Sequence, residues 1–329
     1  MVLAMENRKL NWAAAKQSGF SLIELMIVTV VLLGVSGIVL TAMYQMTMRQ
    51  ASISNRTEMH SGVRSVTGVL QQEISQAGRI SFPTVPNPNQ TTTMNIGVAG
   101  ASPETPVTIV GVGVANPAFL FNNIHLIIDI GDNEEIVTAT NFNGNTFTGT
   151  FEKNHAINAL VRPAGAFAEG ILGNSTGTVL KLFGDINDDG NMRYIEYTCD
   201  TVNGFFYRND MAWDFAGAKP AVNASMILLS NLQPNPNDLV TGQPVPCFTY
   251  QKDNRTVNGV AYDFVLNVGV TLTANPQSPD LQTKRQDPET KALLNVSPRN
   301  VFQAWQLAGL PGANQHVQPT PPTITALSQ

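Results

Sequence analysis

Charge is scarce in this 329-residue chain: only 13% of residues are Asp, Glu, Lys or Arg, and the net charge is −5. No run of lysines or arginines offsets that balance, so a nucleic-acid surface is not expected. Histidine is also sparse. His60, His125, His155 and His316 are scattered along the chain with no i, i+4 pair. The chain has no H-E-x-x-H, no G-x-S-x-G and no phosphate-cradling glycine loop, so the usual short signatures of metalloprotease, hydrolase or nucleotide chemistry are missing. His155 follows a predicted strand and reads as a turn residue, and no enzyme activity is expected. Cysteine is limited to Cys199 and Cys247. Glycine and proline, by contrast, are plentiful at 26 and 20 residues. A turn-rich, exported β protein has this composition, whereas a cytosolic helical enzyme does not.

What the chain does have is one long apolar run. From Phe20 to about Met43 the only charged residue is Glu24, and basic Arg8, Lys9 and Lys16 precede the run. About 24 residues make a helix of roughly 36 Å, longer than a hydrocarbon core of about 30 Å. A secretory signal has an apolar core of only about 7–15 residues and then a small-residue cleavage site, and no clean Ala-x-Ala follows here. The basic residues keep the N-terminus cytoplasmic by the positive-inside rule, which puts everything after Tyr44 outside. An oxidising compartment favours a Cys199–Cys247 disulfide. A plain membrane anchor would explain the length of the run and leave Glu24 without a role, although intramembrane carboxylates are costly and usually functional.

The hexapeptide Gly19-Phe20-Ser21-Leu22-Ile23-Glu24 resembles the processing site of type IV prepilins, and the resemblance covers roughly residues 14–45. It implies a leader at 1–19, cut after Gly19 by a prepilin peptidase, and methylation of the new N-terminal Phe20. It also implies that Glu24 guides assembly with other major and minor pilins. The expected location is the inner membrane, single-pass with a periplasmic head, and then a pilus.

Beyond the apolar run the helical pattern continues. Val63, Val66, Leu70, Ile74 and Ala77 recur at three- and four-residue steps, with Arg64, Gln71, Gln72 and Glu73 between them as a polar face. Gly78 suits a helix C-terminus, and Pro83, Pro86 and Pro88 stop further helix. A single helix over 20–78, transmembrane at 20–43, is therefore expected. The remainder reads as strands at 107–114, 124–130, 135–140, 178–183, 193–199, 204–208, 226–232, 247–251 and 261–274, with an Asn143-Gly144 hairpin. The fold class expected is α+β, pilin-like: a spine helix on an antiparallel β-rich head over 79–309, with 91–175 as an inserted β subdomain. Residues 310–329, rich in Pro, Thr and Gln, are expected to form a poorly ordered tail.

The second half narrows the resemblance. Tyr194-Ile195-Glu196-Tyr197, Phe205-Phe206-Tyr207-Arg208, Cys247-Phe248-Thr249-Tyr250 and Val296-Ser297-Pro298-Arg299-Asn300 follow in the order seen in PilW-type minor pilins and the related PulJ-type pseudopilins. The extra 91–175 segment favours PilW. A second pattern points to a cofactor. Asp185, Asn187, Asp189, Gly190 and Glu196 match the calcium-loop spacing D-x-[DN]-x-[DN]-G-x5-E, although the flanks read as strands. The alternative for that stretch is a polar turn between strands. The expected function is type IV pilus assembly or initiation. The alternatives are a type II secretion pseudopilin, or a pilus-tip adhesin that binds through the insert.

Overall fold

The computed structural model describes residues 19–81, 92–115, 120–280 and 284–329. The expected leader and the proline stops at 83, 86 and 88 lie outside the described residues. Contact clustering divides the chain into two units: residues up to Ser54 with Asp280–Lys284, and Asn55–Pro279 with Arg285–Gln329.

Helix α1 runs Leu22–Gln76. Its first part carries apolar side chains that are exposed throughout, among them Ile23, Leu33, Ile38 and Leu40. The most apolar 18-residue window contains no buried residue, so by length and composition the helix can cross a membrane. Further along, Val63, Val66, Thr67, Leu70, Glu73 and Ile74 are buried at the spacing of one helical face. The helix leaves through Gly78, whose φ of +84° is the left-handed conformation that glycine adopts without penalty. Gly170 crosses there so closely that a Cβ on it would lie 2.3 Å from Gly78 Cα.

Six strands follow in the second unit: β1 Thr92–Thr93, β2 Val107–Gly113, β3 Ile124–Ile128, β4 Glu135–Asn143, β5 Thr146–Phe151 and β6 Leu160–Pro163. They form an antiparallel sheet in the order β1-β6-β3-β4-β5-β2. The end strands also meet, through the Met94–Val114 bridge and the Asn95 N–H to Gly113 O bond of 2.9 Å. The sheet therefore closes on itself as a small barrel, whose interior is filled by side chains. Alternation supplies that filling: Ile124, Leu126 and Ile128 of β3, Val137 and Ala139 of β4, and Phe147 and Phe151 of β5 are buried in one cluster.

Next come β7 Ala166–Phe167, β8 Val179–Gly184, β9 Arg193–Asp200, β10 Phe205–Ala212 and β11 Ile227–Ser230. Strands β8–β11 make a sheet in the order β11-β10-β9-β8. Strands β12 Leu232–Gln233, β13 Phe248–Val257, β14 Val260–Ala274 and β15 Glu289–Val296 form another around the long β14. The buried face of α1 packs on both sheets, with Leu70 and Ile74 in one cluster with Leu180, Ile195, Phe206, Val268 and Leu272. The Cys199–Cys247 disulfide joins the end of β9 to the residue before β13, and so ties one sheet to the other. Closing a loop of 48 residues contributes roughly 4 kcal/mol by chain entropy.

The C-terminal residues depart from expectation. After α2, Arg299–Ala308, the chain forms β16 Val317–Gln318, paired in parallel with β7, and then α3 Pro322–Leu327. Residues 310–329 are therefore not a loose tail. Val317, Ile324 and Leu327 are buried apolar anchors, and Gln318 is fully buried. The Gln318 amide ties β3 to the residue that follows β6: its Oε1 accepts the His125 N–H, and its Nε2 donates to the carbonyls of His125 and Ala164.

Candidate functional site

The N-terminal end of α1 brings together the residues singled out in the sequence. Gly19 and Phe20 precede the helix, Phe20 is 82% exposed, and a Cβ at Gly19 would meet nothing within 4 Å. Glu24 sits in the first turn, and its Oε2 accepts the Ser21 backbone N–H at 3.0 Å. This is the carboxylate half of a capping box, in which the residue at N3 reaches back to the N-cap N–H. A negative charge there also meets the partial positive end of the helix dipole. The Ser21-x-x-Glu24 spacing is the local sequence signal for this cap, and it gives the carboxylate a partner within its own helix besides the intermolecular one that the resemblance implies. Among the described residues only Oε2 of this carboxylate has a hydrogen-bond partner.

The 185–190 turn follows β8. Asp185 is completely buried, with Oδ1 accepting the Asp189 N–H at 3.1 Å and Oδ2 accepting the Gly190 N–H at 3.3 Å and the Ser81 hydroxyl at 2.6 Å. Gly190 has φ +83° and Asp188 φ +58°, so the chain turns sharply where the calcium pattern requires its glycine. Arg79 Nη1 lies 2.6 Å from Asp188 Oδ1 and its Nε 3.8 Å from Asp185 Oδ2, which places one positive charge against the turn. Asn187 and Asp189 are exposed.

Glu196 is a correction. The β8–β9 register pairs Gly184 with Arg193 and Lys181 with Glu196, about 10 Å along the strand from the turn at roughly 3.3 Å per residue. There Glu196 accepts the Tyr194 hydroxyl at 2.8 Å and the Lys219 ammonium at 3.1 Å. It does not close a shell around the 185–190 turn, because the antiparallel ladder carries it away. Among the described residues no three His, Cys, Asp or Glu side chains cluster as a metal-binding group.

Two buried polar constellations escaped sequence reasoning. Glu73, read as part of a polar helix face, is buried against β9 and β10, where it accepts the Tyr197 hydroxyl at 2.5 Å and Arg208 Nη2 at 2.8 Å. Arg208 continues to Asp210 at 3.0 Å. Burial works against the Arg208 charge, but the Glu73 carboxylate more than offsets this and the guanidinium pKa is raised. Burial, and then the Glu73 charge, push the Tyr197 phenol up as well. His155 is the other case. It is no simple turn residue: its ring is buried, with Nε2 2.6 Å from Glu135 and Nδ1 3.2 Å from Asp129.

The motifs that suggested a family therefore have physical work at the helix–sheet junction. Tyr197 and Arg208 hold Glu73, and Asn300 Nδ2 donates to the Gln76 carbonyl at 3.0 Å, satisfying an orphan acceptor of the last helical turn. Trp213 is buried in the core cluster shared with the barrel, and Trp305 stacks under Arg255 at 4.1 Å. Comparison with protein-family models, with curated proteins and with solved structures finds no match.

Proposed function

We infer that this chain is a prepilin-like subunit of the PilW type, which enters a type IV pilus through its N-terminal helix and serves assembly or initiation. The observation that carries this reading is the start of α1: a Gly19-Phe20 junction open among the described residues, followed by a membrane-length apolar stretch whose one acid, Glu24, caps its first turn. A prepilin peptidase cutting after Gly19 and methylation of Phe20 would leave a charged amine next to the cap. The subunit would wait in the inner membrane with its head periplasmic. Moving the apolar helix from lipid into a bundle of similar pilin helices would preserve its burial. Glu24 would keep its own Ser21 N–H and offer Oε1 to the amine of a neighbouring subunit. Leaving that amine unpaired in an apolar core is costly, so pairing would favour one axial register.

Two substitutions separate the charge from the cap. Glu24→Val loses both, whereas Glu24→Gln keeps a capping side chain at N3 and loses only the charge. Both variants should accumulate in the membrane, since removing a charge eases insertion. Both should be depleted at least tenfold from sheared filaments. Normal incorporation of Glu24→Gln would reduce Glu24 to a helix cap.

The calcium reading is retained in a narrower form. Asp185, Asn187 and Asp189 would hold the ion without Glu196, with Arg79 drawing Asp188 aside. A shell short of its closing bidentate carboxylate belongs with weak, extracellular-type sites of about 10⁻⁴–10⁻³ M.

A further inference from the structure

The end of the barrel where β3 passes to β4 and β5 passes to β6 is closed around His155. Its side chain has no exposure, while those of Asp129 and Glu135 keep 22% and 10%. Nδ1 lies 3.2 Å from Asp129 Oδ2, and Nε2 lies 2.6 Å from Glu135 Oε1. Asp129 follows β3 and Glu135 opens β4. The His155 backbone is bridged to Val98, between β1 and β2, by N–H to carbonyl bonds of 2.8 and 2.9 Å. One residue therefore joins three crossings of the chain.

Both carboxylates are committed as acceptors. Glu135 Oε2 accepts the Glu152 N–H at 2.8 Å and Oε1 the Lys153 N–H at 3.1 Å, and Asp129 Oδ1 accepts the Ile130 N–H at 2.9 Å. The cations nearby are engaged elsewhere. Lys153 Nζ donates to the carbonyls of Asp132 and Glu134, each at 2.8 Å, and Arg162 pairs with the Glu134 carboxylate. The carboxylates of Asp132 and Glu152 are exposed, and Phe151 packs edge-on to the imidazole at 5.7 Å. A neutral imidazole has a single N–H. Faced with an acceptor at each nitrogen, it satisfies one and leaves two acceptors in contact at the other. The contacts are complementary only when the three groups hold one proton more than a neutral ring and two ionised carboxylates. Whether that proton sits on the ring or on Glu135, the count is the same, and its titration belongs to the three groups together.

We propose that Asp129, His155 and Glu135 form a proton-operated clamp, which holds the barrel closed at this end and releases it as the pH rises. Linkage sets the sign. In the unfolded chain a histidine gives up its proton near pH 6.5, about its ordinary value. Above that pH the closed clamp holds one proton more than the open chain, so closure weakens with rising pH. For one proton the opening equilibrium shifts about tenfold per pH unit, until the clamp itself releases. The partly exposed Asp129 gives the proton a route to water. His125, also in the barrel, acts in the opposite sense: burial lowers its pKa, so the stability it contributes is present at high pH and lost as the pH falls. This inference stands independently of the assembly reading.

The test is amide hydrogen exchange of the full chain in detergent, corrected for the intrinsic pH dependence of exchange and read on peptides covering 95–98, 129–135 and 152–158. The parent is compared with Asp129→Asn. In that variant the amide oxygen keeps the Ile130 N–H, Nδ2 donates to the ring Nδ1, and the ring's single N–H goes to Glu135, so a neutral ring is satisfied. Asparagine also tolerates the left-handed backbone of this position, φ +67°. Protection in the parent should fall at least tenfold between pH 6.5 and 8.5, and protection in Asp129→Asn should stay level. His125 is present in both proteins, so its titration cancels in the comparison. Glu135→Gln, which supplies the missing donor from the other side, should flatten the profile as well. Constant protection in the parent over this range would overturn the proposal, and so would an equal fall in the parent and the amide variants.

Discussion

Glu73 is the residue on which the junction between helix and sheet most depends. It is buried, and Arg208 and Tyr197 both reach it from neighbouring strands. Glu73→Ala would leave a half-buried guanidinium with Asp210 alone and a buried phenol with no acceptor. Breaking a buried pair from one side costs about 3–5 kcal/mol. Thermal melting should show a drop of several degrees in Glu73→Ala and a smaller one in Glu73→Gln; a shift under one degree in both would mean that the network carries no stability. The 185–190 turn gives a second prediction at this scale. Ligand binding stabilises by RT ln(1 + [L]/Kd), about 2.7 kcal/mol at 100-fold excess and less for a weak site. The protein should melt a few degrees higher in millimolar calcium than in chelator, magnesium should substitute poorly, and Asp189→Ala should remove the response. Identical melting in calcium and chelator would return 185–190 to a polar turn stabilised by Arg79. Neither the Glu73 network nor the Glu24 cap was read from the sequence, for different reasons. Ser21-x-x-Glu24 is a local pattern, legible within four residues. Glu73 has no local signal, because its partners lie 124 and 135 residues away.

At the scale of elements, periodicity carried much of the architecture. The three- and four-residue steps of Val63, Val66, Leu70 and Ile74 mark the buried face of α1 because a helix can bury only one stripe against a sheet. Asn143-Gly144 marks the β4–β5 hairpin, where Gly144 adopts φ +62°. Barrel closure was hidden, since β1 is two residues long and pairs with β6 from the far end of the segment. The C-terminal residues misled through composition. Pro, Thr and Gln dominate 310–329, yet three apolar residues at wide spacing suffice to dock it, and Pro322 opens α3 in the first turn, where its missing N–H is not needed. Truncating one anchor tests this docking. Ile324→Ala, at a position with no exposure, should cost about 2–5 kcal/mol in melting experiments. A variant as stable as the parent would show that 310–329 contributes nothing to the fold.

For the whole molecule, one helix carries two chemistries. Its first stretch is apolar on every side and suits lipid or a bundle of like helices. Its second stretch is amphipathic and joins a β-rich body through Glu73, Asn300 and a shared apolar core. The filament subunit proposed above would need both, since it would have to leave a membrane and enter a bundle of like helices, and the barrel would be additional surface on that plan. The central claim is that the apolar stretch begins a mature pilin-like chain at Phe20. Intact-mass and N-terminal peptide mass spectrometry of the protein purified from its own membrane tests this most directly. The expected result is a chain starting at Phe20, 14 Da heavier on its N-terminal peptide for one methyl group. A chain that retains residues 1–19, or one that starts near Tyr44, would contradict it.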